Sequence, residues 1–298
     1  MIIKRPMKGA AVEDLSVVRF PKSATPKIDG FRLLLGRTAM TSRLARFPNT
    51  FVHKELKGLV DDGIILDGEI VVGKNRGPGV LQRTSSGVTS REGKPDFTFW
   101  VFDYFGEEPY WKRQARASLL VKELDHPRIK FLRSTHIPGR EELDVYLSEQ
   151  LRRGYEGIYL RDPNGLYKQG KSTLIQQWGL KVKPFVDAEG IVIGYYEEQE
   201  NTNEAERDAT GKLKRSSAKS GKVAKGRLGG LILKVEGVEG EVRVGGGYTE
   251  KQRIQLWEIR DQLIGKRVRF KKQMIGEKDK PRHPNFLEFV DFRPEWDE

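Results

Sequence analysis

The sequence predicts an α+β protein in two parts, and three observations lead there. Short apolar stretches bounded by glycine, proline and small polar residues recur along the chain, the pattern of strands joined by turns. Longer stretches at residues 50–62, 110–124 and 139–153 carry apolar residues at helical spacing, so helices flank the strands of the first part. Beyond Pro184 the pattern changes to short strands with a single helix, which places a boundary there and divides the 298 residues into 1–184 and 185–298. That length is ample for two cores.

Composition narrows the chemistry. Lysine and arginine number 54 against 42 aspartates and glutamates, a net charge of +12 with a pI near 9.6. Such a balance suits a partner that is a polyanion, nucleic acid above all, the alternative being dispersed, solvated charge. The absence of cysteine excludes disulfides, thiolate zinc sites and a cysteine nucleophile. His53, His126, His136 and His283 are not paired at metal-ligand spacing, so a metal would have to be a hard cation with oxygen ligands. Met1-Ile-Ile-Lys-Arg-Pro lacks the apolar core of a signal peptide and no apolar run approaches membrane-spanning length; a soluble, cytoplasmic protein is expected.

One stretch organises the first part: Ala24-Thr-Pro-Lys-Ile-Asp-Gly-Phe-Arg32. Pro26 fixes the backbone before Lys27, and Gly30 lets the chain turn tightly after it. A lysine with Asp29 and Arg32 beside it can attack a phosphorus atom once it has lost its proton. A free lysine has a pKa of about 10.4, so burial and neighbouring cations are expected to lower it. The rival is a surface hairpin with a solvated lysine.

The remaining elements follow in order. Leu33-Leu-Leu35 continues as a buried strand, and Met40 to Arg46 reads as a short strand or turn whose Arg43 and Arg46 either grip a phosphate or are solvated. The helix at 50–62 has Thr50 as its expected N-cap and Gly63 as its stop. Ile64 to Val72 is a strand in which Asp67 and Glu69 need a partner: a metal, a ribose hydroxyl or an active-site cation, unless the segment turns at a sheet edge. Residues 73–93, rich in Gly, Ser and Thr, read as a loop. Phe97 to Phe105 is an aromatic strand, mostly core, from which one ring could stack on a base. Two helices follow, then a strand at Tyr155-Glu-Gly-Ile-Tyr-Leu-Arg161, the basic stretch with Lys168 and Lys171, and a strand whose Lys181 and Lys183 share one face and need an anion or solvent between them.

In the second part, segments at 188–196, 229–235, 240–244 and 266–272 read as strands, with a helix capped by Thr249 and Gln252 and stopped at Gly265. Short strands with one helix suit a small all-β barrel of the OB type. Residues 200–227 carry many cations and few large apolar side chains, so they are expected to be flexible when free and to condense on phosphates when bound.

As an ordered series these stretches resemble the nucleotidyltransferase superfamily of ATP-dependent DNA ligases, RNA ligases and mRNA capping enzymes, most closely the minimal chlorella-virus type of ATP-dependent DNA ligase. The resemblance covers the whole chain. It implies an adenylation domain with antiparallel sheets and flanking helices, followed by the OB barrel with a basic latch at about 200–227. Lys27 would become a lysine-adenylate, with Asp29, Arg32, Lys181 and Lys183 as the rest of the catalytic set. ATP would be held by Thr25, Arg32, Glu69, Phe102 against adenine, Glu156, Lys181, Lys183 and Arg282, and Mg²⁺, with Mn²⁺ as a substitute, by Glu69 and Glu156. Nicked double-stranded DNA would meet Arg43, Arg46, Lys171, Lys212, Lys214, Arg215, Lys219, Lys222 and Lys225. Two positions depart from the pattern: Thr25 stands where many cellular ligases have glutamate, and Leu44 where the viral type has an aromatic residue. The implied protein is a monomer that seals nicks in replication, repair or recombination; the alternatives are an RNA ligase, a GTP-dependent capping enzyme, or a non-catalytic nucleic-acid-binding module.

Overall fold

The apolar stretches of the first half become ten strands: β1 (Ala10–Val12), β2 (Lys22–Pro26), β3 (Phe31–Leu35), β4 (Ala39–Thr41), β5 (Leu66–Val72), β6 (Phe97–Tyr104), β7 (Ile129–Phe131), β8 (Thr135–Ile137), β9 (Ile158–Arg161) and β10 (Gly179–Val182). They make two five-stranded sheets, ordered β1-β10-β9-β2-β8 and β4-β3-β5-β6-β7. The pairs are antiparallel except β1 with β10 and β6 with β7. This is a computed structural model, and it describes residues 3–277 and 280–294; Met1 and Ile2 of the opening segment lie outside them.

Helices α1 (Thr50–Leu56), α2 (Val80–Thr89), α3 (Tyr110–Leu124) and α4 (Arg140–Arg152) accompany these sheets. Period-two alternation sends Phe97, Phe99 and Val101 of β6 into a core with Leu33, Leu35, Val52 and Leu56 of α1, and Ala117 and Val121 of α3. The other sheet buries Ala24, Leu160 and Leu180 against Ile137 and Leu143 of α4. The opposite face of the sheet that contains β5 buries Leu34 and Val71 and also carries Arg32, Asp67 and Glu69.

Three local expectations change. α1 is capped by Asn49, not Thr50: its side chain accepts the Val52 N–H at 2.9 Å and donates to the Ser90 carbonyl at 2.9 Å. The helix ends at Leu56 because Lys57 is already extended and Gly58, at φ 74°, turns the chain before Gly63 is reached. Residues expected as loop contain α2, whose buried Val80, Thr84 and Val88 are four residues apart; with so few apolar residues around them, the helical period is hard to see. The Asp67-Gly-Glu69 segment does not break its strand, and β5 runs through the middle of its sheet between β3 and β6.

The second half gives β11 (Phe185–Asn201), β12 (Ala205–Arg207), β13 (Leu213–Arg215), β14 (Lys222–Lys234), β15 (Glu241–Val244), α5 (Glu250–Glu258), β16 (Arg267–Glu277) and β17 (Lys280–Phe289). The main sheet is ordered β15-β14-β11-β16-β17, and the Phe286 N–H donates to the Gly246 carbonyl at 2.9 Å, curling the last strand back to the chain just after β15. Val192, Leu231, Leu233, Val244, Val268 and Phe270 fill its core with Leu256 of α5, whose N-terminus carries the reciprocal Thr249 and Gln252 capping box.

Residues 200–227, expected to lack order, form a ribbon in the structure. β11 and β14 stay paired to Asn201 and Lys222, and the Asn201 and Asn203 amides donate to the Ser216 carbonyl at 2.9 and 3.1 Å. A main-chain ladder needs no apolar side chains, so composition alone does not reveal it. The chain as a whole divides into two units, Met1–Lys183 with Arg207–Lys212, and Pro184–Glu206 with Leu213–Glu298.

Asn49→Ala is expected to destabilise the protein by about 1–2 kcal/mol through loss of the cap. Thr50→Ala should cost distinctly less, since its hydroxyl reaches only the Arg91 carbonyl at an exposed position. Urea unfolding of the two variants tests this; the reverse ranking would return the cap to Thr50.

Candidate active site

β2 and β9 lie side by side, and the Lys27 N–H donates to the Gly157 carbonyl at 2.9 Å. Gly157 has φ 155°, and a Cβ there would sit 2.1 Å from the Val182 carbonyl oxygen, so only glycine lets the chain after Glu156 pass this close to β10. The close approach gathers three charges. Lys27 Nζ lies 2.7 Å from Glu156 Oε2, and Lys183 Nζ bonds the other carboxylate oxygen.

Burial disfavours the Lys27 ammonium, but Glu156, Glu69 and Asp29 more than offset it and hold its pKa above the ordinary lysine value. This reverses the depressed pKa expected from sequence, because the nearest groups are carboxylates. Burial raises the Glu156 carboxyl, yet Lys27 and Lys183 outweigh it and bring it below the ordinary range. Lys181 is depressed, first by burial and then by Lys183, Lys27 and Lys171.

The second sheet supplies the opposite wall. The Arg32 guanidinium grips both oxygens of Asp67, which has no exposed surface, and the Tyr167 hydroxyl donates to Asp67 at 2.6 Å. Gly30 has no positive φ; it is required because a Cβ would lie 2.5 Å from the Ile70 carbonyl and 2.7 Å from Glu69 Cγ. The tight turn expected at Gly30 is thus a close crossing of β5. Glu69 stands opposite Arg32, and burial pushes its carboxyl up to about 7 against the pull of Lys27 and Arg32. The Arg32 guanidinium lies 4.9 Å from the Phe102 ring centre, with Arg161 at 5.6 Å.

Between these walls is a cavity of about 290 Å³ lined by Thr25, Lys27, Arg32, Glu69, Phe102, Lys181 and Lys183. Glu156 adjoins it through its bonds to Lys27 and Lys183, and Asp29 acts on it through its charge. The other sequence-predicted residues lie elsewhere. Arg43 and Arg46 are exposed around the turn after β4, Lys171 is exposed before β10, and Arg282 is in β17 opposite Gln273. Lys212, Lys214, Arg215, Lys219, Lys222 and Lys225 are exposed on the ribbon; Lys225 bonds Glu198 at 3.3 Å, and Arg215 the Asn203 carbonyl.

Sequence reasoning missed Lys8, Tyr159 and Arg161, which also line the cavity. Arg161 is 3% exposed, and Asp103 holds it at 3.2 Å while also pairing with Arg113 at 2.9 Å. A signal existed: Tyr159 and Arg161 are two apart on an apolar strand, so they share the face that Lys181 also occupies.

For a metal, Glu69 and Glu156 are the carboxylates at hand, and no group of three His, Cys, Asp or Glu side chains is gathered for one among the described residues. That set fits Mg²⁺, which commonly takes one or two carboxylates and completes its shell with water and substrate phosphate oxygens. No helix among the described residues is long and apolar enough to cross a membrane.

A family model described as the ATP dependent DNA ligase domain matches residues 9–183, and one described as the DNA ligase OB-like domain matches residues 220–289. A DNA ligase of African swine fever virus is 29% identical over 152 residues, 48% of this chain; the aligned part spans only 35% of that relative. The crystal structure of the Chlorella virus DNA ligase-adenylate is similar with a TM-score of 0.55 and 28% identity, over 97% of this chain and 100% of that one. A Lig E DNA ligase shares the fold, with a TM-score of 0.70 at 21% identity over 95% of this chain and 99% of that one.

The raised Glu69 carboxyl gives a pH signature. A carboxyl whose folded pKa is about 7, against an ordinary 4.5, favours folding below pH 4.5, and that contribution is lost as pH rises through 7. Glu69→Gln should therefore gain stability relative to the unsubstituted protein across that window. Melting temperatures between pH 4.5 and 8 test it, and a difference that stays constant would place Glu69 in an ordinary solvated environment.

Proposed function

Because the chain belongs to the ATP-dependent DNA ligase family, we propose that it seals nicks in duplex DNA, using ATP and acting as a monomer. The observation that carries this reading is one lysine, Lys27, 2.7 Å from a buried carboxylate in a cavity that also presents Arg32, Lys181, Lys183 and an aromatic ring.

In the first step Lys27 Nζ attacks the α-phosphorus of ATP; a P–N bond forms as the bond to pyrophosphate breaks, and the amine loses a proton. Glu156 aims the amine, and its grip on Lys183 keeps a second cation beside the phosphate. Lys181 and Arg32 add charge where it develops on phosphate oxygens, which is where most acceleration of phosphoryl transfer arises. Phe102 offers a ring for the base. Glu69 and Glu156 would hold Mg²⁺ or Mn²⁺, which when bound would neutralise phosphate oxygens and favour the neutral amine of Lys27. The adenylyl group then passes from Lys27 to the 5′-phosphate of the nick, and the 3′-hydroxyl displaces AMP to close the strand. Arg43, Arg46, Lys171 and the basic ribbon at 200–227 would hold the duplex, and Arg282 would orient the departing pyrophosphate.

Incubation with Mg²⁺ and α-labelled ATP should label the protein covalently, and nicked DNA should discharge the label as the nick closes. Lys27→Ala should abolish labelling, and Lys183→Met should slow it at least tenfold. Label taken from GTP would indicate capping, label discharged only by RNA ends would indicate RNA ligation, and a labelled Lys27→Ala variant would remove Lys27 from its role.

A further inference from the structure

The Tyr167 hydroxyl closes a circuit of hydrogen bonds whose other members are a stretch of backbone, a carboxylate and the Arg32 guanidinium. It donates to Asp67 Oδ2 at 2.6 Å and accepts the Met7 N–H at 3.3 Å. The Arg32 Nη2 group donates to the same Asp67 oxygen and to the Met7 carbonyl, the latter at 3.1 Å. Four segments distant in sequence thus meet around one guanidinium, and neither Met7 nor Asp67 has exposed surface.

Most of the Arg32 fork is thereby occupied by protein. Nε and Nη2 are both taken by Asp67, and Nη2 also by Met7, whereas Nη1 bonds no protein atom among the described residues. Nη1 is the donor group left for a ligand on the cavity wall that Arg32 lines. Tyr167 itself does not line the cavity.

A bidentate bond ties the guanidinium to the carboxylate but leaves the carboxylate free to turn on its own side chain. Tyr167 removes that freedom, because it holds the oxygen that also takes Nη2. Its own place is fixed by the edge of Phe105, with ring centres 5.1 Å apart, and by the Arg113 guanidinium 5.5 Å from its ring centre. Burial, and then the Asp67 charge, raise the hydroxyl well above the ordinary tyrosine range, so it stays a donor.

We infer that Tyr167 is a positioning residue for adenylyl transfer, acting through Asp67 to aim Arg32 Nη1 at the phosphate oxygens on which charge develops. The inference rests on the ligase reading and adds to it a residue that does not touch the substrate. A misaimed donor binds the ground state nearly as well but fails the transition state, so such a residue governs the rate at saturating ATP more than the KM.

The test is single-turnover labelling of the full chain with Mg²⁺ and a range of α-labelled ATP, for unsubstituted protein, Tyr167→Phe, Arg32→Lys and the double variant. Tyr146→Phe, which deletes a hydroxyl from a tyrosine packed on the other core of the same unit, is the control. Tyr167→Phe is expected to lower the rate at saturating ATP about tenfold, with the half-saturating ATP concentration changed less than about twofold. In the Arg32→Lys background the same substitution should cost less than about twofold, because the interaction it serves is already lost. Equal losses in both backgrounds, a rate equal to that of Tyr146→Phe, or an effect confined to half-saturation would overturn the inference. Solvent exchange of the Arg32 Nε–H, followed by NMR, reads the positioning without labelling: it should speed up about tenfold in Tyr167→Phe, and unchanged exchange would also overturn the inference. Unsubstituted protein that takes no label from ATP would defeat the ligase reading itself, and the role of Tyr167 with it.

Discussion

The first unit depends on one buried carboxylate. Glu156 has almost no exposed surface, yet it is charged, because Lys27 and Lys183 approach its two oxygens from different strands. Removing one partner of such a group commonly costs about 3–5 kcal/mol, since a charge is left buried and uncompensated. The same requirement fixes geometry: Lys27 must stay at the end of β2, Lys183 at the end of β10, and Gly157 must remain without a side chain between them. Lys27 is thereby placed by electrostatics that also favour its protonated form.

The opposite wall solves a similar problem with different partners. Asp67 and Asp103 face each other across β5 and β6, both without exposed surface, which would be untenable for a bare pair of carboxylates. Arg32 and Tyr167 compensate the first, Arg113 and Arg161 the second. Two of the arginines so held, Arg32 and Arg161, flank Phe102, so Asp67 and Asp103 fix the cations on the cavity wall.

Much of this was legible in the sequence, for identifiable reasons. Short apolar and aromatic stretches placed β3, β5, β6, β9 and β10, and the sequence left a metal, a ribose hydroxyl, a cation or a sheet-edge turn open for the acidic residues of β5; the structure pairs Asp67 with Arg32. Lys27, Arg32, Glu69, Phe102, Lys181 and Lys183 converge on one cavity although they are spread over much of the first unit. What stayed hidden depends on contacts distant in sequence. The sign of the Lys27 shift follows from Glu156, far along the chain. The use of Gly30 follows from Ile70, which no local turn rule reports. α2 and the basic ribbon were obscured because small and polar residues conceal main-chain hydrogen bonding.

The central claim is that Lys27, positioned by Glu156, is the group that takes the adenylyl moiety. Peptide mapping by mass spectrometry of protein incubated with ATP and Mg²⁺ tests it most directly. An AMP adduct on Nζ of Lys27, through a phosphoramide bond lost in acid, is the predicted result. An adduct on Lys181, Lys183 or Lys8 with Lys27 unmodified would contradict it.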